Sequence, residues 1–172
     1  MAVKKASDRY SNLASIAVTE ASAGVQASAK FAFPFSIMDK MGLLISRIEY
    51  WWEGFGALNS SGDRCIAAIA TASSLADISK QSDPQMIDSC QLALSYYGTP
   101  ATAQLFGQPF IKDFSDLPGG GILVAPNPLY ALVQDIGAGS VMGVQIRMWY
   151  TYMEMSADEY WQLVESRRII ST

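Results

Sequence analysis

The strongest signal along the chain is alternation of apolar and polar side chains with a period of two, the mark of a half-buried β-strand. It is clearest in VMGVQIRMWYTYMEM, residues 141–155, where Val144, Ile146, Met148, Tyr150 and Tyr152 alternate with Gln145, Arg147, Trp149 and Thr151. LLISRIEYWWEGFG, residues 43–56, repeats the pattern: Leu44, Ser46, Ile48 and Tyr50 form one stripe, and Ile45, Arg47, Glu49 and Trp51 the other. Arg47 and Glu49, two residues apart, share a face. In MIDSCQLALSYYG, residues 86–98, Cys90, Leu92, Leu94 and Tyr96 oppose Ser89, Gln91 and Ser95.

Shorter runs fill the intervals. RCIAAIATA, PFIKDF, GILVAP and PLYALVQDI read as further strands, and KFAFPF as an edge strand or strand end closed by Pro34. NSSGD at 59–63 and the proline- and glycine-rich stretch from Thr99 to Gly121 read as turns and loop. SSLADISKQSDPQ admits a single helical turn stopped by Pro84, and GAGS at 137–140 is expected to form a hairpin between the last two strands.

At Ser156 the period changes. SADEYWQLVESRR begins with Ser156 and carries Glu159 three residues on, the reciprocal capping arrangement that opens a helix, and Tyr160, Leu163 and Val164 recur at helical spacing. A short helix over 156–167 is expected. Residues 1–30, rich in Ser, Ala and Thr, hold too few large apolar side chains to anchor a core and read as an N-terminal arm. Residues 31–172 are then one domain. About eight short strands, with no strand–helix alternation, predict an all-β antiparallel sandwich carrying that C-terminal helix.

Composition sharpens the picture. Half of the 172 residues are apolar and 16% are charged, a lean polar allowance for a surface that ordinarily carries about 25–35% charged residues. Part of the surface is therefore expected to be covered by neighbouring subunits. Residues 1–40 carry five Lys/Arg against three Asp/Glu, and the rest seven against thirteen. Apart from Arg167 and Arg168, the one basic cluster is Lys4, Lys5 and Arg9 in the arm, so direct nucleic-acid binding by the acidic body is expected to be weak. No apolar run reaches the ~20 residues of a membrane-spanning helix, and the first 25 residues lack the apolar stretch of a signal peptide, which predicts a chain made in soluble form.

There is no histidine, which removes the usual general base, the Ser-His-Asp and Cys-His arrangements and the common zinc ligand sets. Asp158 with Glu159 sits in the first turn of the expected helix, where acids complement the helix dipole, and Asp113 with Asp116 reads as a solvated loop. GAGSVMG and PGGG lack the following helix that a phosphate-binding turn needs. Cys65 and Cys90 fall within strand-like runs, outside any C-x-x-C pair, and read as buried free thiols in preference to a disulfide. The chain is thus expected not to be an enzyme, with no catalytic residue, cofactor or metal site.

What remains is aromatic. Trp51, Trp52, Phe55, Trp149, Tyr152 and Trp161 are the candidate subunit-interface residues, since aromatic side chains are enriched at interface centres. Adjacent Trp51 and Trp52 must point to opposite faces of a sheet, so one of them needs a cover outside the domain's core.

The order of elements resembles that of single jelly-roll major capsid proteins of small icosahedral viruses, including tailless, membrane-containing phages. The likeness spans about residues 25–165. It is carried by the loop and strand pair GILVAPNPLYALVQDIG and VMGVQIRMWYTYMEMS, the helix SADEYWQLVESRR, and the entry FPFSIMDKMGLLISRIEYWWEG. It implies an eight-stranded jelly-roll sandwich that packs laterally with copies of itself into an icosahedral virion shell assembled in the host cytoplasm. The arm, with Lys4, Lys5 and Arg9, would reach under a neighbour or toward the interior. The arm is not Arg-rich, which fits a shell over an internal membrane or one paired with a second capsid protein. Two readings compete: a monomeric β-barrel binding an apolar small ligand with Trp51, Trp149 and Tyr152 as lining, and a hydrolase or glycan-active enzyme of sandwich fold using Asp113 or Asp116.

Overall fold

The computed structural model describes residues 11–33, 41–54, 58, 62–93, 109–125 and 128–169, the last four as backbone only. Among these residues nine strands and one helix follow in chain order: β1 (Asn12–Thr19), β2 (Ala27–Lys30), β3 (Met41–Glu53), β4 (Arg64–Ala70), β5 (Met86–Ala93), β6 (Phe110–Asp113), β7 (Ile122–Val124), β8 (Tyr130–Ile136), β9 (Gly143–Glu154) and α1 (Ala157–Ile169). They form two antiparallel sheets, one ordered β1-β9-β3-β6 with β7 also on β3, the other β2-β8-β4-β5.

β6 pairs with Arg47–Tyr50 and β7 with Leu43–Ile45, so the two occupy successive stretches of one strand position along β3. Counted that way, each sheet has four positions. The chain is doubled on itself: β1 pairs with β9, β2 with β8, β3 with β6 and β7, and β4 with β5. That nested pairing, rolled into two layers, is the expected eight-position jelly roll.

The doubling corrects one expectation. β8 and β9 lie in different sheets, so GAGS at 137–140 crosses from one layer to the other and is no hairpin. Gly137, at φ +89°, lies so close to the Asp63 carboxyl that a Cβ there would come within 2.8 Å of it.

A second correction concerns residues 1–30. Asn12–Thr19 and Ala27–Lys30 are strands of the sandwich, the first paired along its whole length with β9. The boundary of an arm at residue 30 therefore does not hold; Lys4, Lys5 and Arg9 lie outside the described residues. Phe31–Phe33 is not a strand, although Phe31 donates its N–H to the Leu129 carbonyl at 2.9 Å and its ring is buried.

β3 carries a bulge. Ile45 faces Tyr150 and Arg47 faces Trp149, which leaves Ser46 as an extra residue on β3. The Ser46 carbonyl accepts the Phe114 N–H at 2.8 Å. One inserted residue flips the phase of a strand, so Leu43 and Ile45 point inward before it, and Ile48, Tyr50 and Trp52 after it. The expected continuous stripe through Leu44 and Ser46 is corrected accordingly.

The core lies between the sheets. The first sheet contributes large side chains, Tyr50, Trp52, Ile146, Met148 and Tyr150, and the second contributes smaller ones, Cys65, Ala67, Ala131 and Val133. Large against small is how two layers interdigitate without voids. Cys65 and Cys90 are free and buried, as expected, on neighbouring strands where Cys65 faces Leu92 and Cys90 faces Ala67. Burial pushes both thiols up, Cys90 to about 11, which keeps them protonated.

The outer face of the second sheet is covered by the chain itself. Ile66, Ala68, Ala70 and Leu132 are buried under Leu75 and Ile78 from the segment between β4 and β5. This explains why RCIAAIA reads as an unbroken apolar run. Leu75 donates its N–H to Gln26 Oε1 at 2.9 Å, pinning that segment to the edge of the sheet. The helical turn expected there is absent: Asp77 accepts from the Ser79 N–H and Asp83 from the Gln85 N–H, both at 2.9 Å, so side-chain turns replace it.

α1 opens as expected. The Glu159 carboxylate accepts the Ser156 N–H at 2.9 Å and the Ser156 hydroxyl faces the Glu159 N–H at 3.4 Å, a reciprocal cap. Tyr160 is buried beneath the helix.

Candidate functional site

The two sheets differ in what covers them. No equivalent of the β4–β5 segment covers the outer face of the first sheet among the described residues, and that face carries an ordered arrangement of aromatic and charged side chains. After the bulge at Ser46, β3 presents Arg47, Glu49 and Trp51 outward; β9 presents Trp149, Arg147 and Gln145 against them in register. β1 extends the rows with Leu13 opposite Trp149, Ser15 opposite Arg147 and Ala17 opposite Gln145. On the other side, β6 sets Asp113 beside Arg47 and Ile111 beside Glu49. Four strands about 4.8 Å apart make a face roughly 15 Å wide.

Glu49 organises its centre. It is 6% exposed, accepts from Arg47 at 2.5 Å and lies 3.4 Å from the Trp51 indole nitrogen. The guanidinium of Arg47 sits over the Trp149 ring at 5.1 Å and that of Arg147 over the Trp51 ring at 5.5 Å. Two cations thus cross between β3 and β9 in opposite directions, each held on an aromatic plane. Such stacking fixes the rotamers of four long side chains before any partner arrives, which lowers the ordering cost of binding. The face is flanked by exposed apolar groups, Leu13 at 55% and Ile111 at 51%.

The candidate aromatic residues separate in space. Trp51 and Trp149 share this face. Trp52 points the other way and is 3% exposed in the core, so it is not available to a partner. Tyr152 is half-buried on the inward side of β9, its ring edge-on to Tyr150 at 5.3 Å. Trp161 stands apart on α1, 55% exposed. Phe55 lies outside the described residues. Sequence reasoning gives Arg47 and Glu49 as a polar stripe and Arg147 as one position of the later alternation, but none of them as part of a site; their alternation with Trp51 and Trp149 is the available signal.

The structure also answers the two competing readings. Trp51 and Trp149 are outside the sandwich and Tyr152 is inside, so these three side chains do not line one ligand cavity. Asp113 accepts from the Ser115 N–H at 2.9 Å, and its carboxyl is held below the usual range chiefly by Ser115. That is turn chemistry. A polar cleft of about 150 Å³ lies elsewhere, lined by Gln81, Met86, Asp88 and Lys112. There Asp88 accepts from the Tyr50 hydroxyl at 2.6 Å and from Lys112 Nζ at 2.8 Å, tying the facing edges of the two sheets together.

No protein-family model matches the sequence, and neither does any curated protein. Solved structures do match. Merkel cell polyomavirus VP1, as an unassembled pentamer, aligns with 89% of this chain and 98% of its own at a TM-score of 0.52 and 8% identity. VP1 of the Trichodysplasia spinulosa-associated polyomavirus, in complex with GM1 oligosaccharide, covers 87% and 97% at a TM-score of 0.55 and 8% identity. Apo chimpanzee polyomavirus VP1 covers 89% and 98% at 0.53 and 9%. The fold is the VP1 jelly roll.

The likeness to VP1 extends over nearly the whole of each VP1 chain compared, so it embraces both sheets. At 8–9% identity it is a likeness of backbone and not of side chains. Within this VP1-like jelly roll the Trp51–Arg147 and Arg47–Trp149 pairs are therefore read from this chain's own geometry.

Proposed function

We propose that the chain is a structural capsid subunit that self-assembles into an icosahedral virion shell, using the outer face of the first sheet as a contact between copies. The observation that carries this reading is the asymmetry of the two sheets. Among the described residues, the outer face of one is covered by the chain's own loop, and the other carries two stacked tryptophans and two exposed aliphatic side chains. A packed sandwich with aromatic and Arg anchors on one face is suited to binding another protein surface. The VP1 structures that share the fold are viral capsid proteins, one of them a pentamer, which supports closed rings of copies as the building unit.

On this reading the protein is no enzyme, and its place is the virion. The acidic body, seven Lys/Arg against thirteen Asp/Glu after residue 40, disfavours contact with a genome, and an N-terminal segment that is not Arg-rich fits a second capsid protein or an internal membrane as the inner neighbour. Sedimentation velocity of the full-length protein over a hundredfold concentration range is expected to show a defined oligomer and larger closed particles. A strict monomer at every concentration and salt would refute the proposal.

A further inference from the structure

At one end of the sandwich, two acidic side chains that lie far apart in the sequence are buried together. Glu20, just past β1, is 4% exposed, and Asp135, in β8, is 2% exposed. Glu20 accepts the Asp135 N–H through Oε1 at 2.7 Å and the Met142 N–H through Oε2 at 2.9 Å. Asp135 accepts the Gly24 N–H through Oδ2 at 2.6 Å and the Ala138 N–H through Oδ1 at 3.1 Å. Around them, Glu20 N–H donates to the Met142 carbonyl at 3.1 Å and Gln134 Nε2 to the Gly24 carbonyl at 3.0 Å. The two side chains therefore fasten the connection β1–β2 to the connection β8–β9, which cross between the sheets at this end.

Two carboxylates buried in contact cannot both stay charged without large cost. We propose that Glu20 and Asp135 form an acid-locked clasp: while Glu20 holds its proton the two connections are fixed, and when it leaves the like charges push the connections apart.

Among the described residues, the groups facing the pair bring no compensating charge. From β4 the facing groups are Cys65, whose thiol is pushed up by burial and further by Glu20 and Asp135, and Asp63 just before it, buried against Gly137. From the end of β3, Glu53 reaches toward Thr19 and Gly143. Arg64 acts on Asp77, on the loop that covers the opposite face of the sheet. Among the described residues, what acts on Glu20 is Asp135 and the backbone N–H groups, with no cation.

The sign follows from the direction of the shift. Burial, and then the Asp135 side chain, push the Glu20 carboxyl up from an ordinary 4.5 to about 7. A raised acid binds its proton more tightly in the folded state, so the stabilisation is complete below pH 4.5 and is lost as pH rises through about 7. The chain has no histidine, so no side chain at its ordinary pKa titrates near 7 beside it. Val25, Ile136 and Val141, each exposed and each next to a residue the clasp holds, would change their presentation with it.

The test is amide hydrogen exchange of the full-length protein between pH 5.5 and 8.5, corrected for the intrinsic rate, with wild type beside Glu20→Gln and Asp135→Asn. Wild type should lose at least tenfold protection in peptides 20–26 and 135–142 across pH 7, while β3 and β9 hold theirs, and either amide variant should flatten the profile. Wild-type protection that does not change with pH overturns the proposal even if both variants fail to fold. So does a folded Glu20→Gln protein that keeps the wild-type pH dependence.

Discussion

Replacing Trp51 and Trp149 together by alanine should raise the protein concentration needed for assembly by roughly 30-fold or more while leaving the subunit folded. Both rings lie on the outer face of the first sheet, so their removal opens no cavity in the core. Each carries a guanidinium at about the distance of a cation–π pair, 5.1 Å for Arg47 on Trp149 and 5.5 Å for Arg147 on Trp51. Losing the aromatic planes frees both arginines, and a single such anchor at an interface centre is worth about 2 kcal/mol or more. That figure is a factor of roughly 30 in an equilibrium constant. Light scattering reads the assembly and circular dichroism the fold. Assembly at the wild-type concentration would mean that copies meet elsewhere, with Trp161 on α1 the next surface to test.

Ile146→Ala should do the opposite, weakening the subunit while leaving its outer face intact. Ile146 is fully buried on β9 and faces Ile16 of β1 and Tyr50 of β3 in register. Truncating it removes apolar contact and leaves a void that three strands cannot close without moving. The cost for such a change is about 2–5 kcal/mol, a large share of the 5–15 kcal/mol that ordinarily holds a domain together. Urea unfolding of dissociated subunits should show a lower midpoint at unchanged slope. A loss under about 1 kcal/mol would show that the two layers are not packed as described.

Much of this was legible in the sequence. Alternation placed β3, β5 and β9, and the Ser156–Glu159 pair placed the start of α1, because both signals are local: a side chain's face depends on its neighbours two or three residues away. Trp51 and Trp149 stand as interface candidates on residue type, because aromatic side chains are enriched at interface centres. What was not legible depends on partners distant in sequence. β1 reads as part of an arm because Asn12–Thr19 carries mostly small side chains, and it is a strand because β9 pairs with it along its whole length. The bulge at Ser46 is set by the register against Trp149 and Tyr150, which no local pattern encodes. A glycine-rich stretch after a strand suggests a hairpin on turn chemistry alone, but the doubling of the chain sends GAGS across the layers. The Glu20–Asp135 pair had no signal at all, since a lone Glu in a Ser- and Ala-rich stretch looks solvated until the fold buries it.

Electron microscopy of the purified full-length protein bears most directly on the central claim, that the Trp51 and Trp149 face of the first sheet is hidden by copies of the same chain. Closed particles or rings of regular size, with the Trp51 and Trp149 face turned toward a neighbouring copy, are the predicted image. A field of single, separate molecules, or an assembly in which that face is open to solvent on every copy, would contradict it.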